Sequence, residues 1–323
     1  MAQVTPADQP VVFSTVGLPA RQRIELWEDH NADVLIGLRC RTLAATVLEA
    51  TEINLQLGRV QLARVHGTSH VVERDAELIR QRPTDSVSMF FGLAGEAFFY
   101  HDDGVRALQP GQMLICDADR PFMRGFSHGL EELVLKVPRE SFSDLTGLDD
   151  VSQPIVVGFG SGSDPFAHAL ARHIGRAARA ENPQPADEEL LLDLVGSLVG
   201  TKRAPMASTY RVAVTNYIDR HLADHTLSAS QVAHAVGIST RHLSRVLAEA
   251  DTSFPKHVMR RRLAAAHALL HDPALATTPI ADIARRCGFT SSAHFSHAFS
   301  SHYGQRATEV RQRAIVAHSM SPS

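Results

Sequence analysis

The sequence predicts an α+β protein, in which an antiparallel β-barrel or jelly roll with flanking helices precedes an all-helical domain. Short strand patterns separated by turn signals fill most of residues 11–160. Helical patterns follow, and within residues 227–299 one pair of helical patterns occurs twice, with a long helical pattern between the copies. A chain of 323 residues, 44% of them hydrophobic, is long enough for two domains.

The strands of the N-terminal part are predicted by their composition and by the turns between them. Val87–Tyr100 is rich in residues that favour β-structure, and residues 132–137 read ELVLKV. Turn-forming pairs lie between these two runs, at residues 103–104, 110–111 and 120–121. Pro19–Leu35 instead has a helical period, with Ile24 and Trp27 expected on its buried face.

Two helical segments connect the two parts of the chain. Asp164 and Pro165 form a helix start, with the aspartate as N-cap and the proline in the first turn. The second segment has an apolar stripe at Leu191, Leu194, Val195 and Leu198. This stripe either packs on its own domain or forms a dimer seam, and both interpretations remain open. The predicted divisions are residues 1–160, 161–207 with a linker near 200–208, and 208–315.

Formal charge is distributed unevenly along the chain. The whole chain carries −3, but residues 1–200 hold 17 Lys and Arg against 28 Asp and Glu, whereas residues 201–323 hold 15 against 7. The C-terminal third therefore carries +8, which favours a polyanionic partner at that end. No long apolar run occurs, so we expect no membrane-spanning helix. Three widely spaced cysteines and the lack of a secretory signal pattern indicate a cytoplasmic protein with reduced thiols.

The first copy of the repeated pair has the signals of two capped helices joined by a tight turn. Ser228 and Gln231 are spaced for a capping box, and Gly237 follows where a helix would end in the left-handed conformation. Ile238 is expected to fill the turn, and Ser239 to cap the second helix. The outward positions of that second helix are Arg241, His242, Ser244 and Arg245.

The second copy repeats this pattern with one extra residue in its turn. Pro279 begins the first helix, Gly288 ends it, Phe289 fills the turn and Ser291 caps the second helix. Both copies have a small residue four positions before the glycine, at Ala233 and Ala284. The outward positions of the second helix are Ser292, Ala293, His294, Ser296 and His297.

Two helices joined steeply through a glycine turn predict a helix-turn-helix, whose second helix can enter a DNA major groove. A single match would be a weak signal, but two copies with the same caps predict two DNA-reading helices. The long helix between them, Phe254–Asp272, has an apolar stripe and a basic cluster at Lys256, Arg260, Arg261 and Arg262. We expect Arg261 to contact phosphates, and Arg241 and Arg245 to make bidentate contacts with guanine.

The second copy also contains a spaced set of residues at Ile280, Asp282, Ile283, Ala284, Gly288, Phe289, Ser291, Phe295, Ser296 and Phe299. In this set the chain resembles the AraC/XylS family of bacterial transcription regulators, over about Tyr210 to Arg313. The resemblance implies two helix-turn-helix units in successive major grooves on one face of double-stranded DNA, and contact with RNA polymerase. The chain has His297 where the family has arginine, and it departs again over Gly304–Arg311, so weaker readout by the second unit is expected.

Ala107–Phe126 and Leu133–Phe142 resemble the AraC-type sensor domain found in regulators of aromatic, amine and nitrile catabolism. This resemblance implies a cupin-like barrel that binds a small-molecule effector or serves dimerisation, and hence a homodimer. The expected function is an effector-responsive activator of a catabolic operon.

Two other functions remain open at this point. A ligand-independent DNA-binding regulator would use its N-terminal half only to dimerise. A metal-dependent cupin enzyme with a DNA-binding part would need a cluster such as His-x-His, whereas His66 and His70 are four residues apart and His101 precedes a predicted hairpin turn. Without a phosphate-cradling glycine loop or a nucleophile pattern, we expect no catalytic residue, metal ion or cofactor.

Overall fold

The computed structural model describes residues 9–43, 46–160, 162–200 and 206–319. The chain divides into two compact units, Met1–Thr209 and Tyr210–Ser323. Of the linker expected near residues 200–208, residues 201–205 lie outside the described part. The described part of the 161–207 segment belongs to the N-terminal unit.

The N-terminal unit is built on antiparallel strands, in runs close to those predicted from composition. Their bounds are β1 (Val11–Ser14), β2 (Arg39–Thr42), β3 (Ala50–Leu57), β4 (Val60–Gly67), β5 (His70–Arg74), β6 (Ser86–Ala94), β7 (Ala97–His101), β8 (Gly104–Leu108), β9 (Gln112–Asp117), β10 (Phe122–Phe126), β11 (Leu130–Pro138) and β12 (Ile155–Gly158). The predicted hairpin turn at residues 102–103 is confirmed, because His101 and Gly104 pair across it.

The strands form two sheets that enclose one hydrophobic core. One sheet has the order β1-β3-β4-β11-β6-β9-β12 and the other the order β2-β5-β10-β7-β8. Ala63 and Val134 of the larger sheet share the core with Val72 and Phe99 of the smaller one. The α+β class is confirmed. The sheets remain two separate ladders, not one closed barrel, because no strand of the described residues pairs with a strand of the other sheet.

A buried ion pair joins the two sheets. Arg124 on β10 donates two hydrogen bonds to the carboxylate of Glu132 on β11, at 3.0 and 2.6 Å. Both side chains are nearly inaccessible, with 4% and 7% exposed. The guanidinium also lies 3.9 Å from the ring centroid of Phe90 on β6, so Phe90 and Glu132 of the larger sheet together hold Arg124 of the smaller one.

Five helices complete the described part of the N-terminal unit: α1 (Arg23–Val34), α2 (Ala76–Gln81), α3 (Arg139–Thr146), α4 (Pro165–Ala177) and α5 (Glu188–Val199). The helix predicted over Pro19–Leu35 is confirmed as α1, with Trp27 buried. The carboxylate of Asp164 caps α4 as predicted, accepting from the Phe166 amide at 2.8 Å. Leu191, Leu194 and Val195 are buried, and α5 packs against α3 and α4. This stripe therefore packs on its own unit and is not an exposed dimer seam.

The C-terminal unit is helical throughout its described residues. Its elements are α6 (Met206–Arg220), which begins before the unit boundary, α7 (Ala229–Ala235), α8 (Thr240–Ala248), α9 (Phe254–His271), a 3-10 turn (Pro273–Leu275), α10 (Ile280–Arg286), α11 (Ser292–Tyr303) and α12 (Ala307–Ser319). The predicted apolar stripe of α9 is buried at Val258, Leu263, Ala266 and Leu270. Every helix in the described ranges is too short or too polar to cross a membrane.

Candidate nucleic-acid interface

The first helix-turn-helix is formed by α7 and α8, joined at a glycine in the left-handed region. Gly237 has φ 72°, and the amide of Ile238 donates to the carbonyl of Ala233 at 2.9 Å. This bond satisfies a carbonyl that the end of α7 would otherwise leave unpaired, and it draws Ile238 inward, where it is buried. Ser228 and Gln231 form the predicted capping box at the start of α7.

The second helix-turn-helix, formed by α10 and α11, repeats this geometry. Gly288 has φ 80°, and the amide of Phe289 donates to the carbonyl of Ala284 at 3.0 Å. Phe289 is buried against Phe295, with ring centroids 5.0 Å apart. The duplicated turn predicted from sequence is therefore confirmed in both copies, including the small residue four positions before each glycine.

Gly288 should tolerate no side chain. A Cβ there would lie 2.1 Å from the carbonyl oxygen of Leu222 and 2.8 Å from Nε of Arg262, in a backbone conformation that L-residues avoid. We expect Gly288→Ala to lower the unfolding free energy of the C-terminal unit by about 1–3 kcal/mol, measured by thermal unfolding. Gly304→Ala is the matched control, since Gly304 has φ 66° and nothing within 4 Å. Equal losses in the two variants would show that the close contact at Gly288 has no cost.

The exposed face of α8 carries two guanidinium groups. Ser239 caps this helix, its hydroxyl accepting from the His242 amide at 3.1 Å. Arg241, Ser244 and Arg245 are exposed, while the opposite face is buried at Leu243, Val246 and Leu247. Across the described ranges neither Arg241 nor Arg245 has a carboxylate partner, so both guanidinium groups can bind an external acceptor.

His242 differs from the other predicted reading residues of α8. It is half-buried, and its ring meets the edge of the Tyr210 ring with centroids 5.0 Å apart. Tyr210 lies on α6 and is 1% exposed. His242 therefore packs α8 against α6, and part of its imidazole remains at the surface.

The exposed face of α11 carries imidazoles in place of guanidinium groups. Ser291 caps the helix, its hydroxyl accepting from the His294 amide at 3.3 Å. The five predicted reading residues are all exposed: Ser292, Ala293, His294, Ser296 and His297. No lysine or arginine occurs in α11. This face therefore offers hydroxyl and imidazole groups, and no guanidinium, to a bound DNA.

The four basic residues of α9 form two pairs with different surroundings. The first pair, Arg261 and Arg262, contacts α6 and the turn after it. Arg261 donates to the carboxylate of Asp219 on α6, through Nε at 2.6 Å. Arg262 donates to the carbonyls of Leu222 and Asp224, at 3.1 and 2.6 Å, and so closes the turn after α6. These contacts hold α6 against α9.

Lys256 and Arg260 form the second pair, and both are exposed. They line an open groove that also contains Asp251, Met259 and His302, and Nη2 of Arg260 lies 3.1 Å from Nδ1 of His257. They are therefore the members of the basic cluster that are best placed to meet a phosphate. Arg261 remains partly exposed but already has an ionic partner, which the local sequence could not show because Asp219 lies 42 residues away.

Two helix-turn-helix turns in one helical unit, each followed by a capped helix with an exposed face, define a DNA-binding protein of the helix-turn-helix class. A family model described as "AraC-binding-like domain" matches residues 27–201, and one described as "Helix-turn-helix domain" matches residues 232–313. The first match covers more than half of the chain. The chain belongs to the AraC family of DNA-binding transcription regulators, which are not enzymes.

The chain is similar to several activators. It is 32% identical to "Transcriptional activator RhrA" of Rhizobium meliloti (strain 1021) over 100 residues, which are 31% of this chain and 32% of RhrA. It is 21% identical to "Transcriptional activator NphR" of Rhodococcus sp. over 265 residues, 76% of either chain. Among solved structures it is similar to the AraC-like transcriptional activator CuxR, with 19% identity, a TM-score of 0.49, and coverage of 79% of this chain and 94% of that one.

The described residues contain no group of three or more His, Cys, Asp or Glu side chains arranged to hold a metal ion. The three cysteines are buried free thiols.

Proposed function

We propose that the chain is an effector-responsive activator of a catabolic operon. The N-terminal unit binds a small molecule, and the C-terminal unit binds double-stranded DNA and contacts RNA polymerase. The protein acts as a homodimer in the bacterial cytoplasm. The observation that carries the DNA-binding part is the pair of exposed, unpartnered guanidinium groups of Arg241 and Arg245 on the capped helix α8.

In this proposal the two helix-turn-helix units contribute unequally. Arg241 and Arg245 read guanines from α8, with Ser244 beside them and His242 holding the helix in place. The residues of α11 make a weaker set of contacts, through Ser292, Ala293, His294, Ser296 and His297. The effector class proposed from the sensor resemblance is an aromatic acid, an amine or a nitrile.

Phosphate contact by the α9 cluster can be tested residue by residue. We expect Lys256→Ala and Arg260→Ala each to weaken binding to all DNA sequences and to reduce the salt slope by about 1, because each removes one phosphate contact. Arg261→Ala should instead lower the thermal stability of the C-terminal unit, since it breaks the contact with Asp219. Fluorescence anisotropy over a range of salt concentrations measures the slopes. An unchanged slope for Lys256→Ala and Arg260→Ala, with a reduced slope for a folded Arg261→Ala, would contradict this assignment.

His297→Arg should strengthen the contribution of α11. A guanidinium carries a fixed positive charge and several donors that suit phosphate and base edges, so we expect about threefold to tenfold tighter binding of the full site. Fluorescence anisotropy makes the measurement, with DNA scrambled in the second half-site as control. An equal gain in affinity on the scrambled DNA would mean that the side chain at position 297 does not contribute to base recognition.

The proposed function is tested by recovering genomic DNA fragments with the purified protein at about 150 mM salt, where non-specific phosphate binding is suppressed. We expect a few enriched sites, each with two short motifs about one helical turn (roughly 34 Å) apart. The genes beside those sites then identify the operon and the class of effector to add. No enrichment, with or without candidate aromatic acids, amines and nitriles, would contradict the proposal.

A further inference from the structure

The N-terminal unit has a cavity at the end of its core, between α1 and the larger sheet. Its volume is 280 Å³, and it is lined by Asp33 and Val34 of α1, by Asn54, Leu55 and Gln56 of β3, by Gln61 of β4, and by Gln9 and Val11. This is close to the lower end of the range for small-molecule sites in proteins. The walls combine aliphatic side chains with amides, so a ligand there would meet both apolar surface and hydrogen-bonding groups.

The polar atoms around this cavity that lack a partner are oxygens. Within the described residues, Oδ1 of Asn54 and Oε1 of Gln61 are buried without a hydrogen bond. Asn54 is 7% exposed, and its amide nitrogen is already bonded to Nε2 of His30 at 2.9 Å, which leaves the oxygen as the free atom. Lys136 pairs with Gln61 across the sheet but does not satisfy the Gln61 oxygen, because its Nζ donates to the carbonyl of Leu35.

A buried carboxyl group lies next to Asn54 on β3. Glu52 is two residues from Asn54 on the same face of the strand and is fully buried. Its carboxyl interacts with the side chains of Asn54 and Asn31, although neither carboxyl oxygen makes a well-formed hydrogen bond. Burial raises the pKa of the Glu52 carboxyl to about 8, so it is protonated at neutral pH. Buried polar groups are normally paired, so this run of unpaired oxygens is unusual for a structural core. These unpaired oxygens suit a ligand that carries several hydrogen-bond donors and a positive charge.

We propose that this cavity binds a primary organic ammonium ion. The ammonium group donates to Asn54 and Gln61 with the Glu52 carboxylate as its counter-charge, and the hydrocarbon part lies against Val34 and Leu55. An anionic ligand is disfavoured because the free atoms of Asn54 and Gln61 are acceptors and the Asp33 carboxylate lines the same cavity. That this ammonium ion is the effector rests on the proposed function, whereas the binding itself does not.

The test is calorimetric titration of the full-length protein with benzylamine, a short series of alkylamines, benzoate and benzyl alcohol. We expect saturable binding of one or more amines, no comparable binding of benzoate or benzyl alcohol, and at least about tenfold weaker amine binding in Glu52→Gln. At pH 7, binding should release about one proton, because the carboxyl ionises opposite the ammonium group, and Glu52→Gln should abolish this release. Glu73→Gln, at an exposed position of β5, is the matched control and should change neither.

Three results would overturn the inference: benzoate binding as tightly as the amines, no amine binding to protein that is folded and binds DNA, or unchanged amine binding in Glu52→Gln. Asn54→Leu gives a second variant if Glu52→Gln fails to fold, and it should also weaken amine binding. If amines bind as expected but leave DNA binding and transcription unchanged, the cavity assignment stands and the effector role fails.

Discussion

Arg124→Met is expected to destabilise the N-terminal unit by about 3–5 kcal/mol, the largest single effect on stability that we predict. The substitution removes the guanidinium and leaves the Glu132 carboxylate buried between the sheets, with 7% of its side chain exposed. It also removes the stacking of Arg124 on Phe90. Thermal or denaturant unfolding followed by a signal from the N-terminal unit measures the loss.

Two further variants separate the ion pair from other effects. Arg106→Met changes an exposed arginine of β8 and should alter stability by less than about 0.5 kcal/mol. Arg124→Met combined with Glu132→Leu removes both charges, and it should recover much of the lost stability because no unpaired carboxylate remains. If the double variant were as unstable as the single one, the cost would come from packing and not from the buried charge.

Arg241→Ala and Arg245→Ala are each expected to weaken specific DNA binding by about 1–3 kcal/mol, which is roughly fivefold to more than a hundredfold in affinity. Each variant should lose discrimination at a different base pair, because the two residues lie about one helical turn apart on the exposed face of α8. Neither variant should change stability, since both side chains are exposed. Competition binding with DNA sites substituted one base pair at a time makes the measurement.

The control for these variants is the salt dependence of binding to scrambled DNA. If both arginines contact bases, their removal leaves binding to scrambled DNA nearly unchanged. Losses that were equal on specific and scrambled DNA would assign the two side chains to phosphates, and α8 would then be oriented differently in the groove.

Local signals were sufficient to predict the helix-turn-helix units. Capping by Ser228 with Gln231, and the glycine turns at Gly237 and Gly288, depend on residues within a few positions of each other. The pairing of Arg261 with Asp219 joins positions 42 residues apart, so no local pattern indicates it. The same holds for the sheets, whose division into two ladders depends on which distant strands pair.

The burial of β3 could not be predicted from its sequence for a different reason. Apolar and polar residues alternate along β3, yet both faces are buried in part: Leu55 on one, Glu52 and Asn54 on the other. Sequence patterns commonly fail where a site needs polar groups in the interior. This strand is where we propose the ammonium-binding cavity.

We propose that one C-terminal unit reads two successive major grooves through α8 and α11. Hydroxyl-radical footprinting of the purified protein on a recovered site tests this. We expect two protected regions about one helical turn (roughly 34 Å) apart on one face of the DNA for each bound C-terminal unit, with Arg241→Ala weakening protection at one of them. A single protected groove per unit, unchanged by Arg241→Ala, would contradict it.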